Sequence, residues 1–139
     1  MERPDLVALQ GPLEPPSIVV AEDDLATRAL LRATLERADY RVREFDNGAD
    51  ALREILREPP DVALLDIGMP MLNGYEVAQQ IRAAPWGKSM MLVAVTGWGQ
   101  TEDKRRAHEA GFDHHFTKPL DLDVLGAFLS DALAQQRSD

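Results

Sequence analysis

The sequence contains no cysteine. This absence excludes disulfide bonds, thiolate metal sites and catalytic thiols. Basic residues are also scarce: 15 lysines and arginines stand against 24 aspartates and glutamates, which gives a formal net charge of −9. Such a balance argues against direct binding to nucleic acid, because phosphate backbones are held by an excess of lysine and arginine.

Long apolar runs are missing as well. No run approaches the roughly 20 residues that a membrane-spanning helix needs, and the acidic, proline-containing start is not typical of a secretory signal. We therefore expect no membrane partner and a cytoplasmic location. Residues 1–16 hold four of the nine prolines and no sustained periodicity, which predicts a disordered tail or interdomain linker before one domain at residues 17–137.

Within that domain, five short apolar runs alternate with five amphipathic patterns. Three of the runs are apolar at nearly every position, which is typical of parallel strands covered by helices on both faces. The alternation predicts an α/β fold, an open doubly wound sheet of five parallel strands. The predicted strands are 17–21, 40–45, 61–66, 90–96 and 113–117, and the predicted helices are 25–38, 49–57, 74–83, 101–110 and 122–136.

Polar residues stand where these strands end. Glu22 and Asp23 follow the first strand, Asp66 ends the third, Thr96 ends the fourth and Lys118 follows the fifth. Because the carboxyl ends of parallel strands share one edge of the sheet, we expect these side chains to converge. Crowded carboxylates need a cation, and an all-oxygen set suits Mg²⁺. A neighbouring ammonium then suits an anion such as a phosphoryl group.

Four segments carry a resemblance to a known family. They are "IVVAEDD" (18–24), "LLDIGMPMLNG" (64–74), "VTG" (95–97) and "TKP" (117–119). Each lies at a predicted strand end, and their order and spacing resemble the receiver domain of two-component response regulators. The resemblance covers roughly residues 17–136, and it implies a flavodoxin-like fold with the five parallel strands in the order 2-1-3-4-5.

The resemblance implies a phosphoacceptor and a metal site. Asp66 would accept the phosphoryl group. Glu22, Asp23, Asp66 and the backbone carbonyl of Gly68 would hold Mg²⁺. The phosphoryl donor would be a histidine kinase or a histidine phosphotransfer protein, and the domain would promote only its own phosphorylation and dephosphorylation.

The resemblance also implies a switch. Thr96 and Lys118 would bind phosphoryl oxygens, and the Lys118–Pro119 peptide would be cis. His115 occupies the position where the family commonly has an aromatic residue, and we expect its side chain to turn from solvent toward the sheet when Thr96 moves. The face at 101–136 would transmit the change to a partner or to a second copy of the chain.

Two other functions on such a fold are less consistent with the residues. An aspartate-nucleophile phosphatase usually carries a second acid two residues after the nucleophile, where this chain has Gly68. A nucleotide- or flavin-binding protein would need a loop rich in glycine or hydroxyl groups after the first strand, and "AEDDLAT" would repel phosphate.

The context of the domain stays open between two alternatives. The segment "VAVTGWGQTEDKRRAHEAGFDHHFTKP" resembles receivers attached to hybrid histidine kinases, and the proline-containing leader would suit a linker to such a kinase. A stand-alone regulator fits the same residues. Kinase activity is expected only in the first case, from another part of the protein.

Overall fold

The computed structural model describes residues 14–97 and 101–138, with the backbone alone for residues 101–103 and 137–138. Strands and helices alternate along this part of the chain. The strands are β1 (Ser17–Ala21), β2 (Arg41–Phe45), β3 (Val62–Asp66), β4 (Met91–Thr96) and β5 (His114–Thr117). The helices are α1 (Leu25–Arg37), α2 (Gly48–Arg57), α3 (Gly74–Ala83), α4 (Thr101–Ala110) and α5 (Leu122–Ser138), with a 3-10 turn at Gly87–Ser89.

The five strands form one parallel sheet in the order β2-β1-β3-β4-β5. This confirms the predicted fold and strand order, and each predicted strand lies within one residue of the observed one. The predicted linker at 1–16 falls mostly outside the described residues, which begin at residue 14. Within the described ranges, no helix combines the length and the apolarity that crossing a bilayer requires.

The apolar core has two layers, one on each face of the sheet. On one face, β-strand side chains such as Val19 and Leu65 pack with α2, α3 and α4. On the other face, side chains such as Val20 and Leu64 pack with α1 and α5. Successive residues of a strand point to opposite faces, so a strand buried on both faces is apolar at every position. This explains the continuous apolar runs of β1, β3 and β4.

Side-chain caps determine where three helices begin. Asp24 accepts a hydrogen bond from the Thr27 backbone N–H at the start of α1, and Asn47 caps α2 in the same way. Asn73 and Glu76 form a reciprocal capping box at the start of α3. Each cap satisfies N–H groups that the first turn of a helix leaves without partners. The helices therefore start close to the carboxyl ends of the strands.

An arginine joins the chain segments at the opposite end of the sheet. The Arg82 guanidinium donates to the carbonyl oxygens of Gly111 (2.6 and 2.8 Å), Gly87 (2.7 Å) and Met90 (2.7 Å), and to Asp113 Oδ2 (2.9 Å). These bonds connect α3 to the segments that lead into β4 and β5. Arg82 thus uses several of its five donors on one surface of the domain.

Gly48, the first residue of α2, lies against the loop that follows β3. A Cβ atom placed on Gly48 would stand 1.8 Å from the carbonyl oxygen of Leu72. Because that neighbour is backbone, the loop and the helix could not both keep their positions. The glycine therefore permits α2 to pack against the loop after Asp66.

We expect Gly48→Ala to lower the free energy of unfolding by about 2 kcal/mol, within the range for overpacked sites. Gly126→Ala, in α5, is the matched control, because a Cβ atom added there would meet nothing within 4 Å. It should raise stability by up to about 1 kcal/mol, since glycine is a poor helix former. Urea denaturation of both variants measures this. Equal effects would contradict the close packing at Gly48.

Candidate functional site

Three acidic side chains meet at the carboxyl edge of the sheet. Glu22, Asp23 and Asp66 each offer a carboxylate oxygen, and these oxygens lie within 4.8 Å of one another. Glu22 and Asp66 are 1% and 6% exposed, whereas Asp23 is exposed. The pairing of Ala21 with Leu65 in neighbouring strands brings the next residues, Glu22 and Asp66, side by side. Buried carboxylates at this distance disfavour each other's ionisation.

The Glu22 side chain has one satisfied and one unsatisfied oxygen. Oε2 accepts a hydrogen bond from the Asp24 backbone N–H at 3.0 Å. Oε1 is buried and has no hydrogen-bond partner among the described residues, although Lys118 Nζ lies 2.9 Å away. The two groups form an ion pair. A buried carboxylate oxygen in this state is suited to coordinate a cation.

Lys118 is the ammonium of the site. Its Nζ lies 2.9 Å from Glu22 Oε1 and 3.6 Å from Asp66 Oδ2. Burial alone would lower the pKa of Lys118, but its contacts with these two carboxylates raise the pKa overall. The Lys118–Pro119 peptide is cis, as the sequence resemblance implied.

Asp66 has a strongly shifted acidity. Burial, followed by the negative charge of Glu22, raises the pKa of Asp66 to about 7. The Lys118 ammonium and the backbone N–H of Gly68, which lies 3.3 Å from Asp66 Oδ1, act in the opposite direction. Without a further cation, Asp66 is therefore partly protonated near neutral pH. A bound cation would favour its ionised, nucleophilic form.

This shift predicts how stability depends on pH. The pKa is about 7 in the folded protein and near 3.8 in the unfolded chain, so the folded state holds its proton more tightly. Stability should therefore decrease as the pH rises from about 4 to 7, with the full loss present above 7. In EDTA, Asp66→Asn should raise the unfolding midpoint at pH 8 by roughly 5 °C. Near pH 4 the difference should largely vanish, and calorimetry checks this. A constant difference across the range would contradict the shift.

Thr96 and His115 are already joined in this structure. Thr96 ends β4 and is buried, and its Oγ1 lies 2.7 Å from His115 Nε2. The expectation that His115 points to solvent before any switch is therefore wrong. The imidazole nitrogen and the buried hydroxyl form a hydrogen bond with each other. Leaving either group buried without a partner would lower the stability of the domain. Which of them donates depends on the histidine tautomer.

The two adjacent histidines contact different groups. His114 stacks on Phe128, with ring centroids 4.2 Å apart, and contacts the edge of Phe116. His115 contacts Thr96 instead. Among the described residues, the three acidic side chains are the one group of three or more possible metal ligands whose atoms approach closely enough to share an ion.

Sequence reasoning missed one residue of this edge. Arg28, in α1, donates through Nη1 to the backbone carbonyl of Glu22 at 2.8 Å. No local pattern indicates the contact, because it depends on how α1 packs against the end of β1. Asp24, the residue after Asp23, caps the start of α1 instead.

Comparison with known proteins identifies the family. Residues 18–130 match the response regulator receiver domain. The chain therefore belongs to the response regulator receiver family, and it is a phosphoacceptor domain of two-component signalling. Receiver domains of this kind interact with histidine kinases or phosphotransfer proteins.

Similar chains occur in proteins of different lengths. An uncharacterised 14.6 kDa protein of Leptolyngbya boryana is 36% identical over 75% of this chain and 79% of its own. The sensor histidine kinase RcsC of Salmonella typhimurium is 35% identical over 78% of this chain, but this spans 11% of the kinase. The transcriptional regulatory protein ResD of Bacillus subtilis is 36% identical over 74% of this chain and 42% of its own length.

Solved structures show the same fold. A response regulator receiver domain protein from Methanospirillum hungatei has a TM-score of 0.81 at 26% identity, over 89% of this chain and 98% of that one. The receiver domain of a Pseudomonas aeruginosa sensor histidine kinase, solved with magnesium in its active-site cleft, has a TM-score of 0.78 at 27% identity. That comparison covers 84% of this chain and 96% of the other.

Proposed function

We propose that this receiver accepts a phosphoryl group on Asp66 from the phosphohistidine of a histidine kinase or phosphotransfer protein. The observation that carries the proposal is the position of Asp66. It is buried at the edge of the sheet beside two carboxylates and within 3.6 Å of the Lys118 ammonium. Membership in the receiver family supports the same interpretation.

The residues present fit a Mg²⁺ ion. The buried Glu22 carboxylate, the exposed Asp23 carboxylate and Asp66 offer oxygen ligands, and Mg²⁺ prefers such ligands together with water. We assign the backbone carbonyl of Gly68 to the same set. When bound, the ion supplies positive charge that keeps Asp66 ionised and neutralises phosphoryl oxygens.

The transfer step needs few groups of the protein. An oxygen of Asp66 attacks phosphorus, a new phosphorus–oxygen bond forms, and the phosphorus–nitrogen bond of the donor breaks. Lys118 and Thr96 bind the equatorial phosphoryl oxygens, where negative charge is concentrated. In the structure, Lys118 lies closer to Glu22 than to Asp66. It must therefore change partner, toward the phosphoryl group, as the transfer proceeds.

Thr96 is the residue that we propose connects phosphorylation of Asp66 to a change elsewhere in the domain. Thr96 Oγ1 bonds His115 Nε2 in the structure, and donation from the same hydroxyl to a phosphoryl group on Asp66 would rearrange this pair. We propose that this rearrangement is read at the 101–136 face, which contains α4, β5 and α5, by a partner protein or by a second copy of the chain.

We assign no independent hydrolase or kinase activity to residues 17–137. Phosphate release by a dedicated phosphatase would be aided by a general acid near Asp66. The position two residues further holds Gly68, which is exposed and has open space where a side chain would project.

The first test is phosphorylation of the full chain by a phosphohistidine protein or acetyl phosphate in Mg²⁺. Wild type should acquire label that mild alkali removes, as an acyl phosphate requires, and Asp66→Asn should lose at least about 99% of it. Asp39→Asn is the matched control. Asp39 is exposed with a φ of 70°, and asparagine tolerates that conformation. Alkali-stable label, or label that persists on Asp66→Asn, would overturn the assignment.

The second test is the metal site. Asp23→Asn and Glu22→Gln should each weaken Mg²⁺ binding by about tenfold or more, because each removes a charged oxygen ligand. Asp24→Asn removes a neighbouring charge but keeps the helix cap, since asparagine caps as well as aspartate. Its Mg²⁺ affinity should stay within about threefold of wild type. Isothermal calorimetry measures all three variants, and equal losses in all of them would indicate general electrostatics rather than coordination.

A further inference from the structure

Arg28 links three parts of the chain beside the acidic cluster. Its Nη1 donates to the Glu22 backbone carbonyl at 2.8 Å, and its Nε lies 3.7 Å from Glu44 Oε1. The Arg28 side chain is 14% exposed. It therefore joins α1 to the end of β1 and to the last part of β2, and the surrounding protein restricts its movement.

The carbonyl that Arg28 holds belongs to the peptide unit between Glu22 and Asp23. Because a peptide unit is planar, fixing this carbonyl also fixes the N–H of Asp23 and restricts how its side chain leaves the backbone. The other groups of Glu22 are already fixed, since its N–H donates to the Phe45 carbonyl at 3.0 Å and its Oε2 accepts from Asp24. Arg28 completes the support of the turn that carries both carboxylates.

Arg32 offers a comparison within the same helix. It lies one turn after Arg28, and it pairs with Glu36 at 3.1 Å and with Glu44 at 3.4 Å. Both arginines thus carry one positive charge and both reach Glu44. Arg28 differs from Arg32 in its hydrogen bond to the Glu22 carbonyl and in its lower exposure, 14% against 46%.

We propose that Arg28 is a positioning residue for the cation-binding carboxylates, and that it acts by orienting the Glu22–Asp23 peptide. The inference rests on the proposed function of the site. Groups that orient metal ligands through hydrogen bonds commonly change metal affinity by about 10- to 100-fold when they are removed.

The charge of Arg28 has the opposite effect on a cation. A guanidinium near the carboxylates repels Mg²⁺, so loss of the charge alone would raise the affinity. Loss of the orienting hydrogen bond would lower it. The direction of the change therefore separates a positioning role from a purely electrostatic one.

The experiment is a calorimetric Mg²⁺ titration of the full chain, in the wild type and three variants. Arg28→Met should weaken binding by about tenfold. Arg32→Met, which also removes a positive charge near Glu44, should bind Mg²⁺ as well as wild type or slightly better. Arg28→Lys should lie between Arg28→Met and wild type, because lysine keeps the charge and one donor for the carbonyl. Equal or tighter binding by Arg28→Met than by Arg32→Met would overturn the proposal.

Two further measurements separate orientation from folding and from the proposed function. Metal-free amide spectra should show shifts at Asp23 and Asp24 in Arg28→Met but not in Arg32→Met. If Arg28→Met does not fold, Arg28→Lys decides, and unchanged affinity there overturns the proposal. If wild type itself binds no Mg²⁺, the proposed function fails, whereas normal binding by wild type and by Arg28→Met rejects the role of Arg28 alone.

Discussion

The repulsion between two buried carboxylates is the constraint on which this structure depends. Glu22 and Asp66 share the edge of the sheet, and burial together with the charge of Glu22 raises the pKa of Asp66 to about 7, although the Lys118 ammonium lies 3.6 Å from Asp66. Such an arrangement lowers the free energy of unfolding unless an opposite charge compensates the two carboxylates. In the function that we propose, a cation would neutralise the carboxylates and a phosphoryl group would engage the ammonium. The unfavourable electrostatics of the site without ligands and the affinity that we propose for these ligands would then have the same origin.

The sheet keeps the carboxylates together through its register. Asp66 pairs with Val95, and Glu22 follows Ala21, which pairs with Leu65. A slip of one residue would move a strand by about 3.3 Å and exchange its two faces. Both faces of β1 and β3 are buried in separate layers of the core, so a slip would disturb packing throughout the domain. The apolar interior thus determines the geometry of the polar site at the edge of the sheet.

Much of this could be predicted from the sequence because the central strands are apolar at consecutive positions. That pattern indicates parallel strands, and the strand ends then place Glu22, Asp66 and Lys118 at one edge without knowledge of side-chain packing. The remaining features depend on contacts between distant segments. The bond between Thr96 and His115 requires the side-chain orientations of two strands, and the bond from Arg28 to Glu22 requires the packing of α1. Local patterns contain neither kind of information, since the same residues in another orientation would leave the periodicity unchanged.

Because of the hydrogen bonds of Arg82, the two ends of the sheet differ in how easily they open locally. At its end, one side chain bridges the carbonyls of Gly87, Met90 and Gly111, so the segments there can separate only by losing several charge-assisted hydrogen bonds together. At the opposite end, the carboxylates of Glu22 and Asp66 repel each other, and the Lys118 ammonium lies near both of them. This arrangement favours small rearrangements. Local opening, as amide exchange would report it, should therefore be costly beside Arg82 and easier beside Asp66. Movement that follows ligand binding would then be confined to the end of the sheet that holds Asp66, and the end that holds Arg82 would keep its structure.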